Sequence, residues 1–149
     1  MRTRIPADSS VMRHKTIGAA AVAAAALLGA GCGGSSHRAL PVVPITERDF
    51  AIRAPHLVPA GEVRIVLTNK GPVSHELLIA HASGKRLPLR ADGFTFDEDA
   101  IKHRLVGSLE PDGPSVRDLV LRLTPGRYLV FCNMAGHAES GMLTSFVVR

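Results

Sequence analysis

The run LTPGRYLVFCNMAGHAESGM, Leu123 to Met142, places Cys132, His137 and Met142 at the spacing Cys-x4-His-x4-Met, directly after an apolar strand-like stretch. These are a thiol, an imidazole and a thioether, the soft and borderline donors that suit copper. Two His and one Cys in a trigonal set, with a weak axial Met, make an electron-transfer copper site. The run lacks only a second histidine. His75 supplies that candidate, in the separate segment Ser74 to Ile79.

Strand geometry allows the four to converge. Cys132 closes its strand, a four-residue loop returns His137 to the same point, and a second loop delivers Met142 to the start of the last strand. His75 shares a strand face with Leu77 and Ile79, so its ring can enter the end of an apolar core, while Glu76 faces the other way. His81 lies on the same face, but six residues at the strand rise put it about 20 Å away, too far for one ion. His37, His56 and His103 fall in tether, loop and helix segments and read as solvated. Met134 reads as surface, and Tyr128 as a core or corner residue.

Around this run the chain reads as all-β. Val63, Ile65 and Leu67 alternate after Ala60-Gly61 and stop at the turn Asn69-Lys70-Gly71-Pro72. Leu119, Leu121 and Leu123 alternate up to Thr124-Pro125-Gly126, and Arg127 to Cys132 and Leu143 to Val148 complete the set. Ile45 to Ile52 changes phase midway, which predicts a bulge or a strand break. Lys85 to Gly113 is a polar insertion. Inside it, Thr95-x-x-Glu98 has the form of a capping box and predicts a short helix over about Phe96 to Leu105. Two small antiparallel sheets packed face to face, with this insertion at one edge, are the simplest architecture.

The N-terminal end predicts export. Met12-Arg13-His14-Lys15 is a basic stretch, and Ile17 to Gly31 is an Ala-rich apolar run of signal-peptide length. Leu28-Gly29-Ala30-Gly31-Cys32 looks like a bacterial lipobox, which makes residues 1–31 a cleaved leader and Cys32 the lipidated terminus. Residues 32–44 read as a flexible tether and residues 45–149 as the domain. Removing the leader leaves 118 residues, enough for one domain. The leader carries four of the eighteen Lys and Arg and one of the thirteen Asp and Glu, so the remainder is near +2. No basic run with interleaved aromatics is present, which argues against nucleic-acid binding. With Cys32 claimed by lipid, Cys132 is an unpaired thiol in an oxidising compartment, and a metal thiolate explains it.

Pro125-Gly126-x-Tyr128-x3-Cys132-x4-His137-x4-Met142, with the upstream Asn69-x5-His75, resembles the cupredoxins, the family of plastocyanin, azurin and rusticyanin. The Cys-x4-His-x4-Met loop is most similar to that of rusticyanin and sulfocyanin. Over about residues 43–149 the resemblance implies a Greek-key β-sandwich. It further implies one type 1 copper held by His75, Cys132 and His137, with Met142 axial. Many cupredoxins carry Asn directly after the first His, where its side chain ties the two ligand loops together. Glu76 stands there instead, and its backbone N–H remains available to the thiolate.

A metal with all four positions filled by protein leaves none for substrate, whereas catalytic sites keep one open. The expectation is therefore not an enzyme but a one-electron carrier. Its expected location is the extracytoplasmic face of the cell membrane, anchored by the Cys32 lipid. The expected partners are cytochromes or terminal oxidases that dock transiently near His137, and the expected state is a monomer. Ala135, Gly136, Ala138 and Gly141 would form a flat docking patch there. A lipoprotein that captures or delivers copper is the alternative. Such sites favour exposed Met or His clusters, and beyond the leader the chain has only Met134 and Met142.

Overall fold

The computed structural model describes residues 38–83 and 86–149. The expected leader, the lipidation site Cys32 and the tether up to His37 lie outside the described residues. Within them the chain forms β1 (Val42–Arg48), β2 (Ala51–Arg53), β3 (Leu57–Val58), β4 (Gly61–Asn69) and β5 (Leu77–His81). It continues through α1 (Glu98–Ile101), β6 (Leu105–Leu109), β7 (Ser115–Leu123), β8 (Gly126–Cys132) and β9 (Leu143–Val148). The first strand begins inside the segment read as tether, because Val43 as well as Ile45 is buried.

Four strands form one sheet in the order β2-β1-β4-β7, and five form the other in the order β3-β9-β8-β5-β6. Both sheets are mixed, which corrects the antiparallel expectation. β1 runs parallel to β4, with Val43 opposite Ile65 and Ile45 opposite Leu67, and β3 runs parallel to β9. Between β1 and β4 the chain crosses to the other sheet as β3 and then returns. It therefore re-enters alongside β1 in the same direction.

The core lies between the sheets. Val43, Ile45, Val63, Ile65, Leu67, Leu121 and Leu123 face Leu77, Ile79, Tyr128, Val130, Phe146 and Val148. Each such side chain, fully buried, contributes about 1.5–3 kcal/mol, and the strict alternation on β4 follows from having one face in this layer. β5 is different: Leu77, Leu78, Ile79 and Ala80 are all buried. Leu78 and Ala80 belong to a second cluster with Phe131 and Ile101, packed against Leu87, Phe96, Leu105 and Leu129. The insertion thus covers the outer face of the five-stranded sheet.

That role explains two departures from the sequence reading. The insertion contains a strand, β6, paired antiparallel to β5. Its helix covers only Glu98–Ile101 and is capped by Asp97, whose side chain accepts from Ala100 N. Thr95 is no cap, because its hydroxyl donates to Asp92, and Leu105 is already in β6. The phase change in residues 45–52 is a two-residue turn, Asp49-Phe50, between paired Arg48 and Ala51.

Tyr128 is fully buried, and its hydroxyl donates to Thr124 O at 3.0 Å and accepts from Thr124 N at 3.1 Å. This corner fixes the approach to β8. Tyr128→Phe leaves both Thr124 groups without that partner, and the expected cost is about 1–3 kcal/mol, read as a lower denaturant midpoint at unchanged slope.

Candidate metal centre

β8 ends on Cys132, which is completely buried and sits across from Leu77 at the start of β5. The loop that follows closes through backbone hydrogen bonds. His137 N donates to Met134 O, Met142 N to His137 O, and Cys132 N to Met142 O, each at 3.0 Å. The loop begins and ends on the same pair of neighbouring strands, so Cys132 and Met142 are held side by side. Met142 is fully buried in the same core cluster as Cys132.

His75 arrives from the β4–β5 connection. Asn69 braces that loop by donating Nδ2 to Val73 O at 2.8 Å and accepting Gly71 N at 2.9 Å. His75 is 3% exposed, and its Nδ1 lies 3.3 Å from His137 Nδ1. His137 Nδ1 is in turn 3.5 Å from Cys132 Sγ. The donor atoms of His75, Cys132 and His137 all lie within 4.8 Å of one another, the one such group among the described residues. Metal–donor bonds of about 2.0–2.3 Å put the ligands of one ion roughly 3–4 Å apart, so this set fits a single ion. Two imidazoles and a thiol beside a buried thioether suit copper better than a hard cation.

Glu76 N donates to Cys132 Sγ at 3.4 Å, the contact expected of it. The tie between ligand loops, missing at Glu76, is made by Asn133. Its backbone N donates to Glu76 O, and its side chain pairs with both Phe96 N and Phe96 O and with Glu98 Oε1. Gly136 N also donates to Phe94 O, so the insertion grips the loop at two points.

Burial decides the ionisation of the site. It pushes the Cys132 thiol up, against the backbone N–H groups of Glu76 and Met134, which favour the thiolate. Desolvation also lowers His75, helped by repulsion from His137 and opposed by Asp49. A thiol whose ionisation burial opposes would give up its proton to a metal ion bound at its sulfur, so metal binding here would release acid. Glu76 is raised by desolvation and by Glu98 and Glu110. Glu47, on the core face of β1, is completely buried with no hydrogen-bond partner on either oxygen, and desolvation raises it to about 7.

Sequence reasoning missed Glu47, Asp49, Phe50 and Asn133. The phase change in residues 45–52 was the one signal pointing to the first three. Phe50 is 56% exposed, and its ring lies edge-on to His137 at 5.5 Å. Of the expected flat patch, Ala135 and Gly141 are exposed and Gly136 is half-buried, but Ala138 turns inward and is buried. The His81 ring packs at a tilt against Tyr128, centroids 4.3 Å apart, away from the donor group.

Solved structures share this architecture. Dithionite-reduced auracyanin from Roseiflexus castenholzii superposes with a TM-score of 0.53 at 13% identity, over 74% of this chain and 98% of its own. Auracyanin B gives 0.53 at 18% identity, over 73% and 88%. Rusticyanin from Thiobacillus ferrooxidans gives 0.51 at 17% identity, over 72% and 77%. The fold is that of the cupredoxins. Within them, the sulfocyanin (SoxE) domain matches residues 53–149, and the chain belongs to that family. No curated protein sequence matches it.

Glu47 gives the metal-free protein a distinctive pH dependence. Its carboxyl ionises near the ordinary 4.5 when unfolded and near 7 when folded. The folded state therefore holds the extra proton between those values. Stability is full below the lower one and falls by about 3 kcal/mol as pH rises through the upper one. Urea titrations from pH 4 to 8 should show this decline, and Glu47→Gln should flatten it.

Proposed function

We propose that His75, Cys132, His137 and Met142 hold one type 1 copper ion and that the protein carries single electrons. The observation that carries this reading is the closed cluster of two imidazoles and one buried thiol, with the thioether residue in the same core. Copper supplies the one-electron couple between Cu(II) and Cu(I). The rest is done by the chain. Backbone bonds among Cys132, His137 and Met142 fix the loop in one geometry, so little rearrangement accompanies a change of charge. The Glu76 N–H stabilises the thiolate. A filled ligand set with no open position supports a carrier rather than an enzyme.

His137 is the one half-exposed member of the donor group, which makes its ring edge the electron port. Phe50, Met134, Ala135 and Gly141 surround it with exposed uncharged surface. A small patch of this kind suits short-lived docking by redox proteins such as cytochromes or terminal oxidases. The reading extends to export and to anchoring through a lipidated Cys32, with residues 45–149 working on the extracytoplasmic face of the membrane as a monomer.

Copper-loaded soluble residues 33–149 should show an intense visible thiolate-to-copper band and a narrow copper hyperfine splitting. Cys132→Ser should abolish both. A pale, ordinary Cu(II) spectrum in the parent protein, unchanged by the substitution, would overturn the type 1 reading. Met142→Leu should keep the colour and raise the reduction potential in protein-film voltammetry, because a donor to the oxidised ion is lost.

A further inference from the structure

Two buried polar atoms face each other beside the metal centre without a hydrogen bond. His75 Nε2, on a side chain with no solvent exposure, lies 3.4 Å from Asp49 Oδ1. That separation is ion-pair distance with a poorly directed N–H. His75 Nδ1 faces His137, so Nε2 is the ring atom left to be satisfied. A buried N–H without an acceptor costs about 1–3 kcal/mol, and Asp49 supplies the facing acceptor.

We propose that Asp49 is a positioning residue for His75: its carboxylate accepts the Nε2–H and leaves the Nδ1 lone pair for the metal. The proposal rests on the metal reading above. It adds a carboxylate behind one imidazole, an arrangement that fixes the tautomer and strengthens the ligand as a donor.

The surrounding chain is shaped to deliver that carboxylate. Asp49 and Phe50 form the β1–β2 turn, and Phe50 has a φ of +62°, in the left-handed region. For a non-glycine residue this costs roughly 1–2 kcal/mol. Contacts on both sides hold it there. The Phe50 ring packs on His137, and its carbonyl oxygen would lie 2.6 Å from a Cβ on Gly141. On the other side, a Cβ on Gly71 would collide with Asp49 Oδ1. Gly71 is itself pinned by Asn69, so its missing side chain is the space that the carboxylate uses. The turn thus touches the loop before His75, His137 itself and the residue before Met142. Arg48, on the same turn, is exposed and makes no ion pair with Asp49 among the described residues.

A negative charge behind His75 favours Cu(II) over Cu(I). Asp49→Asn should weaken Cu(II) binding about 10- to 100-fold in chelator competition. Cu(I) binding should weaken less, so the potential rises. Gly71→Ala keeps every charge and displaces the carboxylate, and should shift both affinities in the same direction. Long-range nitrogen–proton NMR on the metal-free full chain reads the tautomer directly. His75 should be Nε2–H in the parent and mixed in both variants. Unchanged tautomer and unchanged Cu(II)/Cu(I) affinity ratio in the two folded variants would overturn the proposal. If instead the parent binds copper without a thiolate band, the metal reading fails first, and the tautomer still decides whether Asp49 holds His75.

Discussion

Everything at the loop-bearing end of this sandwich depends on burying a thiol among hydrocarbon while keeping two imidazoles against it. Cys132 is completely buried in the same cluster as Ile65, Tyr128 and Phe146, an environment that opposes its ionisation. The compensation is local and geometric. The backbone N–H groups of Glu76 and Met134 favour the thiolate, and three backbone bonds close the loop that carries His137 and Met142. A donor group assembled this way is costly to leave empty, because His75 Nδ1 and Cys132 Sγ are then buried with few partners.

The two sheets contribute unequally. β8 and β9 bring Cys132 and Met142, β5 follows directly after His75, and all three belong to the five-stranded sheet. The four-stranded sheet closes the core from the other side and sends in the Asp49-Phe50 turn, the buried Glu47 and, at the end of β4, the Asn69 that braces the His75 loop. One sheet therefore holds the donors, and the other conditions them electrostatically.

Much of this was legible in the sequence. Alternation on β4 and β7 marked their inward faces because each meets apolar core on one side only. The spacing from Cys132 to Met142 was informative because Cys, His and Met are scarce and lie on one short loop, where chain geometry leaves few arrangements. Legibility failed where a long-range contact overrides a local rule. Thr95-x-x-Glu98 has the form of a cap, yet Thr95 serves Asp92, and Glu98 is used by Asn133. Leu105 to Leu109 was hidden inside a polar insertion because its apolar character makes sense only beside β5. The parallel pairing of β1 with β4 was invisible, since periodicity within a strand carries no direction. Asp49 and Glu47 could not be singled out, because their meaning lies in what they face.

The Asn133 bridge has a consequence for how such a protein can vary. Four of the five hydrogen bonds that tie Asn133 and Gly136 to residues outside the loop and its own strands run to Phe94, Phe96 and Glu98, which belong to a surface insertion and not to the sandwich. The stiffness of the loop is therefore set from a segment that carries none of the proposed ligands and little of the central core. Lengthening or reshaping that segment would retune the loop while leaving the two packed sheets intact. The insertion acts as an adjustable brace, a part that descent can alter independently of the donors themselves.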